Sequence, residues 1–148
     1  KSIEEFGYGK GYVFALDYWR QFLAAINSLR VHKNMSLILI AHTHIRAYNS
    51  PDTEAYDRYE IKLHAKASGL IQESVDAVLF AKHKIITKKE DKGFNQTRVR
   101  GISTGERCLC TTETPGYIAK NRYGLPSEIE LSWAAFEQAI VNATAKEQ

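Results

Sequence analysis

His42 follows a continuous apolar run, residues 36–41, that predicts a strand covered on both faces in a parallel sheet. Ligands gather at the carboxyl ends of such strands, where a histidine can donate a hydrogen bond to a phosphate or respond to its loss. The alternative interpretation is that His42 only satisfies a backbone group at the end of the strand. The pattern therefore makes His42 a candidate phosphate sensor.

A pair of cations, Lys120 and Arg122, follows a short predicted strand over residues 117–119. Two cations separated by one residue on an extended segment face the same side. Such a pair is suited to gripping a polyphosphate, or to neutralising charge that develops on a transferred phosphoryl group. The alternative is an inert pair on the surface.

Positive charge is concentrated between residues 82 and 100, although the net charge of the whole chain is only +3. Two β-rich arms, residues 84–88 and 97–103, are joined by residues with turn chemistry, which predicts a β-hairpin. A basic hairpin with Phe94 at its tip could follow a phosphate backbone and stack a base. The alternative is a solvated sheet edge that lysines protect against aggregation. The cations are Lys82, Lys84, Lys88, Lys89, Lys92, Arg98 and Arg100.

The two cysteines, Cys108 and Cys110, are one residue apart, so a disulfide between them would be strained. With His42 and His44 they form a conceivable zinc-binding set, but neither pair has the usual spacing of a structural zinc site. Nothing local marks a reactive thiol either. We therefore expect ordinary strand cysteines and no metal ligand, with a zinc or thiol enzyme as the weaker alternative.

The predicted elements alternate between helices and strands, which favours an α/β fold with a mostly parallel sheet. Apolar spacing predicts a helix over residues 13–32, a shorter helix over 61–74 and a final helix over 132–143 with Ser132 as its N-cap. A buried strand is predicted over residues 76–83, and a further strand begins at Arg107. The polar stretch 42–58 between the first strand and the second helix is predicted to be a long loop.

Length and composition are those of an ordinary globular protein: 148 residues, of which 44% are hydrophobic and 25% charged. The length predicts a single domain. No apolar run is long enough to span a membrane, and Lys1 and the residues after it do not form a signal peptide, so a reducing cytoplasm is the expected location. Glycines 7, 9 and 11 lack the spacing of a phosphate-binding loop.

In order and spacing, three segments resemble the C-terminal half of a RecA-like P-loop ATPase core, the family of strand-exchange recombinases, DnaB-type helicases and phage-type AAA/RecA-like recombination ATPases. The first segment ends at His42, in the position of a polar phosphate sensor. The three segments are Leu37-Ile-Leu-Ile-Ala-His42, Ala67-Ser-Gly-Leu-Ile-Gln-Glu-Ser-Val-Asp-Ala-Val-Leu-Phe80 and Ile118-Ala-Lys-Asn-Arg-Tyr-Gly-Leu-Pro126.

The resemblance assigns a role to each candidate. It implies that His42, usually a glutamine in the family, couples the nucleotide state to a DNA-contacting loop, residues 43–59, which carries Arg46 and Arg58. It implies that Lys120 and Arg122 reach the γ-phosphate of ATP bound to a neighbouring subunit, so the protein would be a homo-oligomer that binds single-stranded DNA. ATP and magnesium are expected in the full-length parent and no cofactor in this chain alone.

No Walker A loop and no Walker B strand occur in the sequence. We therefore expect a C-terminal fragment, a partial RecA-like core with a C-terminal antiparallel extension, which does not hydrolyse ATP by itself. The alternative function is a stand-alone nucleic-acid-binding module without ATPase activity.

Overall fold

The computed structural model describes residues 2–91 and 97–145, with the backbone alone for residues 4, 89–91 and 97–100. The chain divides into two compact units, Lys1–Val75 and Asp76–Gln148. Each unit is α/β, with helices and antiparallel strand pairs. The prediction of a single domain over residues 1–148 stays a prediction.

The first unit begins with two short 3₁₀ turns and a long helix, α1 (Lys10–Lys33), which confirms the helix predicted over residues 13–32. Gly11 lies where a Cβ atom would come within 2.5 Å of the Ile3 carbonyl oxygen, so only glycine fits this close approach without a shift. The helix ends at Asn34, which adopts a left-handed conformation with φ of 50°.

The predicted buried strand over residues 36–41 is wrong: residues 34–42 have no regular structure. Ile40 is 96% exposed and Ile38 is 68% exposed. A strand exists only where a neighbour accepts and donates its backbone hydrogen bonds, and none of the described strands pairs with this run.

The long loop predicted over residues 42–58 is also wrong, because most of it is a β-hairpin. Strand β1 (Thr43–Tyr48) pairs antiparallel with β2 (Tyr56–Ile61), with Thr43 opposite Ile61 and Tyr48 opposite Tyr56. The turn between the strands contains Asn49, Ser50, Pro51 and Asp52, which are typical turn residues. Hydrogen bonds between β1 and β2 pair backbone N–H and C=O groups that would have no such partners in an open loop.

Helix α2 (Ala65–Ser74) completes the first unit and is shorter than the predicted helix over residues 61–74. Its start is displaced because Ile61 belongs to β2. The ring of His64, just before α2, stacks on Tyr12 of α1 with 4.4 Å between ring centroids. This contact packs the start of α2 against α1.

The second unit contains a long antiparallel ribbon, β4 (Phe80–Asp91) with β5 (Thr97–Cys110), which confirms the predicted hairpin arms. Its turn lies outside the described residues. Three shorter strands complete the pairing among the described residues of this unit: β3 (Ala77–Val78) pairs with β6 (Lys120–Asn121), and β7 (Glu128–Glu130) pairs with β5. The strand predicted over 76–83 is thus divided between β3 and β4. The short strand predicted over 117–119 is wrong, because strand pairing begins only at Lys120 and Tyr117 forms an isolated bridge with Thr114.

The last helix, α3 (Trp133–Thr144), begins as predicted, with the Ser132 hydroxyl oxygen accepting a hydrogen bond from the Ala135 backbone N–H at 3.2 Å. It packs against β7. No helix in the described part of the chain is long and apolar enough to cross a membrane.

The mostly parallel, RecA-like sheet is not supported, because every strand pair within the described residues is antiparallel. The prediction depended on residues 36–41 and 76–83 pairing side by side. Residues 36–41 form no strand, and β3 and β4 pair with later strands of their own unit. The α/β class stands, and the predicted strand direction is corrected.

Candidate functional site

Arg122 lies directly after β6 and is held by Asp76 through both backbone and side chain. The Arg122 backbone N–H donates to the Asp76 carbonyl at 3.1 Å, and its Nη1 lies 3.4 Å from Asp76 Oδ1. The Tyr123 hydroxyl donates to the other carboxylate oxygen at 3.5 Å. The Arg122 side chain is still 55% exposed. An exposed guanidinium fixed at its base can turn its remaining N–H donors toward an anion.

Lys120 lies within the β3–β6 pair, opposite Val78, and is half-buried. Asn121, between the two cations, points into the unit: its Nδ2 donates to the Leu125 carbonyl at 2.8 Å and its Oδ1 accepts from the Leu125 N–H at 3.1 Å. These bonds close a tight turn through Gly124, whose φ is 66°. Asn121 thereby anchors the segment that carries both cations.

His42 is exposed and lies at the base of the β1–β2 hairpin. Its carbonyl accepts a hydrogen bond from the Lys62 backbone N–H at 2.8 Å, which extends the hairpin by one bond. His44, two residues further, is half-buried, and its Nε2 is a buried nitrogen without a hydrogen-bond partner among the described residues. The backbone role fits the alternative considered for His42 and leaves its imidazole available to a ligand.

Arg46 and Arg58 face each other across the hairpin, and Glu60 lies between their charges. The Arg58 Nε donates to Glu60 Oε1 at 2.9 Å, whereas Arg46 Nη1 lies 3.9 Å from Glu60 Oε2. The Arg58 guanidinium also lies 3.7 Å from the centre of the Tyr48 ring, and its side chain is only 13% exposed. Arg58 therefore stabilises the hairpin, and Arg46 is the more accessible cation of the two.

Lys84 of the basic ribbon is engaged by carboxylates of its own unit. Its Nζ lies 3.2 Å from Glu128 Oε1 and 3.6 Å from Glu106 Oε2. The hydrogen bond and charge of Glu128, with a smaller contribution from Glu106, raise the pKa of Lys84 above its usual value. This lysine offers less positive charge to an external phosphate than its position suggests.

The other predicted ribbon cations are placed by strand register. Lys88 is exposed and lies opposite Arg100, while Lys89 lies opposite Val99 and Arg98 opposite Glu90. Lys92 and Phe94 lie outside the described residues. The register therefore places cations on both strands near the far end of the ribbon.

Cys108 and Cys110 are buried on one face of β5, and the neighbouring strand β7 brings Glu128 to them. One ligand atom from each of these three residues lies within 4.8 Å of the others. Burial, followed by the proximity of Cys110 and Glu128, raises the pKa of Cys108 to about 11. Burial and the Cys110 thiol likewise raise the pKa of Tyr117. The Cys108 thiol is thus protonated at neutral pH. This group, unlike the set considered from the sequence, contains no histidine.

Sequence reasoning missed Asp76, which contacts Arg122, Glu128, which contacts Lys84, and Asn121, which anchors the turn after β6. Asp76 was visible as the only charged residue in the apolar segment 75–81, where a carboxylate requires a partner. Asn121 and Glu128 carried no comparable signal. Glu128 acts through contacts to β4 and β5, and Asn121 through hydrogen bonds to Leu125 and Thr111.

A family model described as an AAA domain matches residues 1–123 of the chain, which include His42, Lys120 and Arg122. The match ends before β7 and α3. No curated protein and no solved structure matches the chain significantly.

Proposed function

Because the chain belongs to the AAA-domain family of P-loop-type ATPases, we propose that it is the part of such an ATPase that senses and contacts nucleotide. More specifically, we propose a RecA-like, phage-type protein that binds single-stranded DNA in recombination or replication. The sequence contains no Walker A loop, so this part supplies cations and a sensor, and it does not hydrolyse ATP alone.

The observation that carries the proposal is the anchoring of Arg122. Asp76 fixes its backbone and one edge of its guanidinium, while the rest of the side chain is exposed. A cation that is positioned in advance and still accessible stabilises the charge that develops on a transferred phosphoryl group better than a mobile one does. Lys120, two residues earlier on β6, adds a second positive charge.

The residues fit contact with a polyphosphate but not the binding of its magnesium ion. Arg122 and Lys120 are donors to phosphate oxygens, which suits a γ-phosphate bound by a neighbouring subunit. The chain has no P-loop serine or threonine and no Walker B aspartate, the residues that hold magnesium in this class. ATP and magnesium would therefore be bound by a partner region that contains those motifs, in a homo-oligomer.

His42 is the proposed sensor because its backbone closes the β1–β2 hairpin. A shift of His42 toward a phosphate would disturb its hydrogen bond to Lys62 and so alter the base of the hairpin that carries Arg46. This contact would couple the nucleotide state to a DNA-contacting segment.

The experiment compares ATP turnover and nucleotide binding in the ATPase that contains this segment, with and without Arg122→Ala. We expect turnover to fall by about 10³-fold, the usual effect of removing an arginine that acts on the transferred phosphate, while nucleotide affinity changes by less than about 3-fold. Mixing this variant with a Walker A variant should restore turnover if Arg122 acts on a neighbouring subunit.

Arg20→Ala is the matched control, because Arg20 is also an exposed arginine paired with an aspartate, Asp17, at 2.6 Å. It should leave turnover unchanged. Equal losses in the two variants, or a loss of nucleotide binding in Arg122→Ala, would contradict the proposed role.

A second candidate function is nucleic-acid binding without ATPase activity, and the long β4–β5 ribbon favours it. Described side chains near the middle of the ribbon are exposed, including Lys88 and the cross-strand pair Ile86 and Ile102. An exposed two-stranded ribbon with cations can follow a phosphate backbone independently of nucleotide.

Binding of a fluorescent single-stranded oligonucleotide to this chain, measured by anisotropy at several salt concentrations, tests whether the ribbon contacts nucleic acid. Lys88→Ala should reduce the slope of log K against log salt by about 0.7, the value for one phosphate contact on a single strand. Lys66→Ala, an exposed lysine on α2, is the control and should not change it. The full-length oligomer is then tested with and without ATP. If its affinity for the oligonucleotide does not change with ATP, the result favours a nucleic-acid-binding module without ATPase activity.

A further inference from the structure

The strand register of the second unit places two thiols and one carboxylate on a common face. Cys110 lies opposite Glu128, and Cys108 lies opposite Glu130 in the β5–β7 pair. Because side chains two residues apart on a strand share a face, Cys108 and Cys110 project to the same side. The result is the group of Cys108, Cys110 and Glu128, whose ligand atoms lie within 4.8 Å of one another.

These distances are close to those of a tetrahedral zinc centre. Zn–S bonds of about 2.3 Å and Zn–O bonds of about 2.1 Å place two sulfurs about 3.8 Å apart and a sulfur and an oxygen about 3.6 Å apart. Contraction of each pair by about 1 Å or less would therefore suffice. Side-chain rotation provides this without any change in strand pairing.

The types of donor atom, two sulfurs and one carboxylate oxygen, indicate which metal ion the group would bind. Two sulfur ligands favour a soft or borderline cation such as Zn²⁺ over Mg²⁺ or Ca²⁺, which prefer oxygen. The two cysteines are 3% and 1% exposed, so the sulfurs are already withdrawn from water on β5. Glu128 is exposed and lies on the solvent side of the group.

A neighbouring lysine offsets the charge of the group, and a neighbouring cavity gives a metal ion access to it. Two thiolates and a carboxylate around a divalent cation leave a net charge of about −1, and Lys84, 3.2 Å from Glu128, offsets it. Lys84 also holds one carboxylate oxygen and leaves the second for the metal. A cavity of about 500 Å³ lies beside Cys108 and Glu128 and provides access and room for a fourth, water ligand.

From this geometry we propose that Cys108, Cys110 and Glu128 form a three-ligand zinc site, with water as the fourth ligand. The site departs from the expectation that the chain has no metal ligand, and from the set that combined the cysteines with His42 and His44. It is independent of the proposed ATPase role, and Glu128 lies beyond the residues that the family model matches. An occupied site would link β5 to β7 and stabilise the second unit.

The test uses the reduced, purified chain loaded with Zn²⁺ or Co²⁺. We expect one zinc per chain by elemental analysis, and a Co²⁺ complex with tetrahedral d–d bands and a thiolate-to-cobalt charge-transfer band. Cys108→Ser and Cys110→Ser should each weaken binding by about 100-fold or more, and Glu128→Gln by about 10–100-fold. Zinc should also raise the melting temperature of the native chain, measured by circular dichroism.

Glu130→Gln is the matched control, because Glu130 lies on the same strand and lines the same cavity but is not one of the three ligands. It should bind zinc like the native chain. If the serine variants fail to fold, the comparison of Glu128→Gln with Glu130→Gln decides, since both side chains are exposed. Zinc uptake below one per chain, a Co²⁺ spectrum without thiolate bands, or equal binding by these two glutamine variants would overturn the proposal.

Discussion

The two compact units hold their polar groups in different ways. In the first unit, the central ion pair is shielded: Arg58 bonds Glu60 at 2.9 Å, and their side chains are 13% and 17% exposed. In the second, the pair of Arg122 and Asp76 is longer, at 3.4 Å, and open to solvent, while the buried side chains of β5 are the cysteines Cys108 and Cys110. Removing one partner of a shielded pair leaves a desolvated charge unpaired, whereas an exposed, anchored pair leaves its cation available to a ligand.

The two units also differ in which of their side chains are exposed and which are buried. Several large side chains of α1 and the following segment are exposed, among them Phe14, Tyr18 and Ile40. In the second unit Cys108, Cys110 and Thr111 are buried where β5 pairs with its neighbours and passes into the next segment. The exposed Arg122 guanidinium thus belongs to the unit in which the end of β5 is buried.

The largest effect that separates the units is the stability change on removing each arginine. Arg58→Leu should lower the free energy of unfolding by about 2 kcal/mol, because it leaves the shielded Glu60 carboxylate without its close partner. Arg122→Leu should lower it by less than about 0.5 kcal/mol, because Asp76 remains hydrated. Urea unfolding followed by Trp19 for the first unit and Trp133 for the second measures both.

Each measurement is made with the other tryptophan replaced by phenylalanine, so that one unit is observed at a time. Comparable losses for the two arginine variants would break the distinction between a structural pair and a ligand-facing one.

A smaller effect concerns alkaline pH and the second unit. The folded state raises the pKa of Cys108 from 9.0 to about 11, so it keeps a proton that the unfolded chain releases. Stability from this group is therefore full below pH 9 and is lost as pH rises from 9 to 11. Between pH 8 and pH 10, the free energy of unfolding of the metal-free native chain should therefore fall by about 1 kcal/mol more than that of Cys108→Ala.

Urea unfolding at both pH values, in the presence of a chelator and followed by Trp133, measures this difference. The first unit, followed by Trp19, should respond identically in the native chain and in Cys108→Ala. A pH response of the Trp133 signal that does not depend on Cys108 would contradict the assignment.

The smallest effect is the coupling energy within each ion pair. A double-mutant cycle on Asp76 and Arg122 should give less than about 0.5 kcal/mol, and this coupling should diminish as salt is raised. The corresponding cycle on Arg58 and Glu60 should give about 1 kcal/mol or more and depend less on salt. A strong, salt-insensitive coupling at Arg122 would make it a structural residue.

Much of the local structure was predictable from the sequence because it depends on neighbours along the chain. Helical spacing located α1, the Ser132 hydroxyl set the start of α3, and β-rich arms identified the β4–β5 ribbon. The loop prediction for residues 42–58 is wrong because polar residues with turn chemistry can equally belong to a short hairpin. Its alternation around Ile45 and its central Asn-Ser-Pro-Asp turn are the signals that favour β1 and β2.

The sequence by itself determined the AAA-domain membership, the candidate cations and the lack of a phosphate-binding loop. Tertiary structure alone decided that residues 36–41 lack a strand partner, that Asp76 anchors Arg122, and that Glu128 joins the two cysteines. Helix spacing and caps act within a few residues, whereas the pair of Asp76 and Arg122 joins residues 46 positions apart and Glu128 lies 18 positions beyond Cys110. Such contacts exist only once the chain has chosen its strand partners.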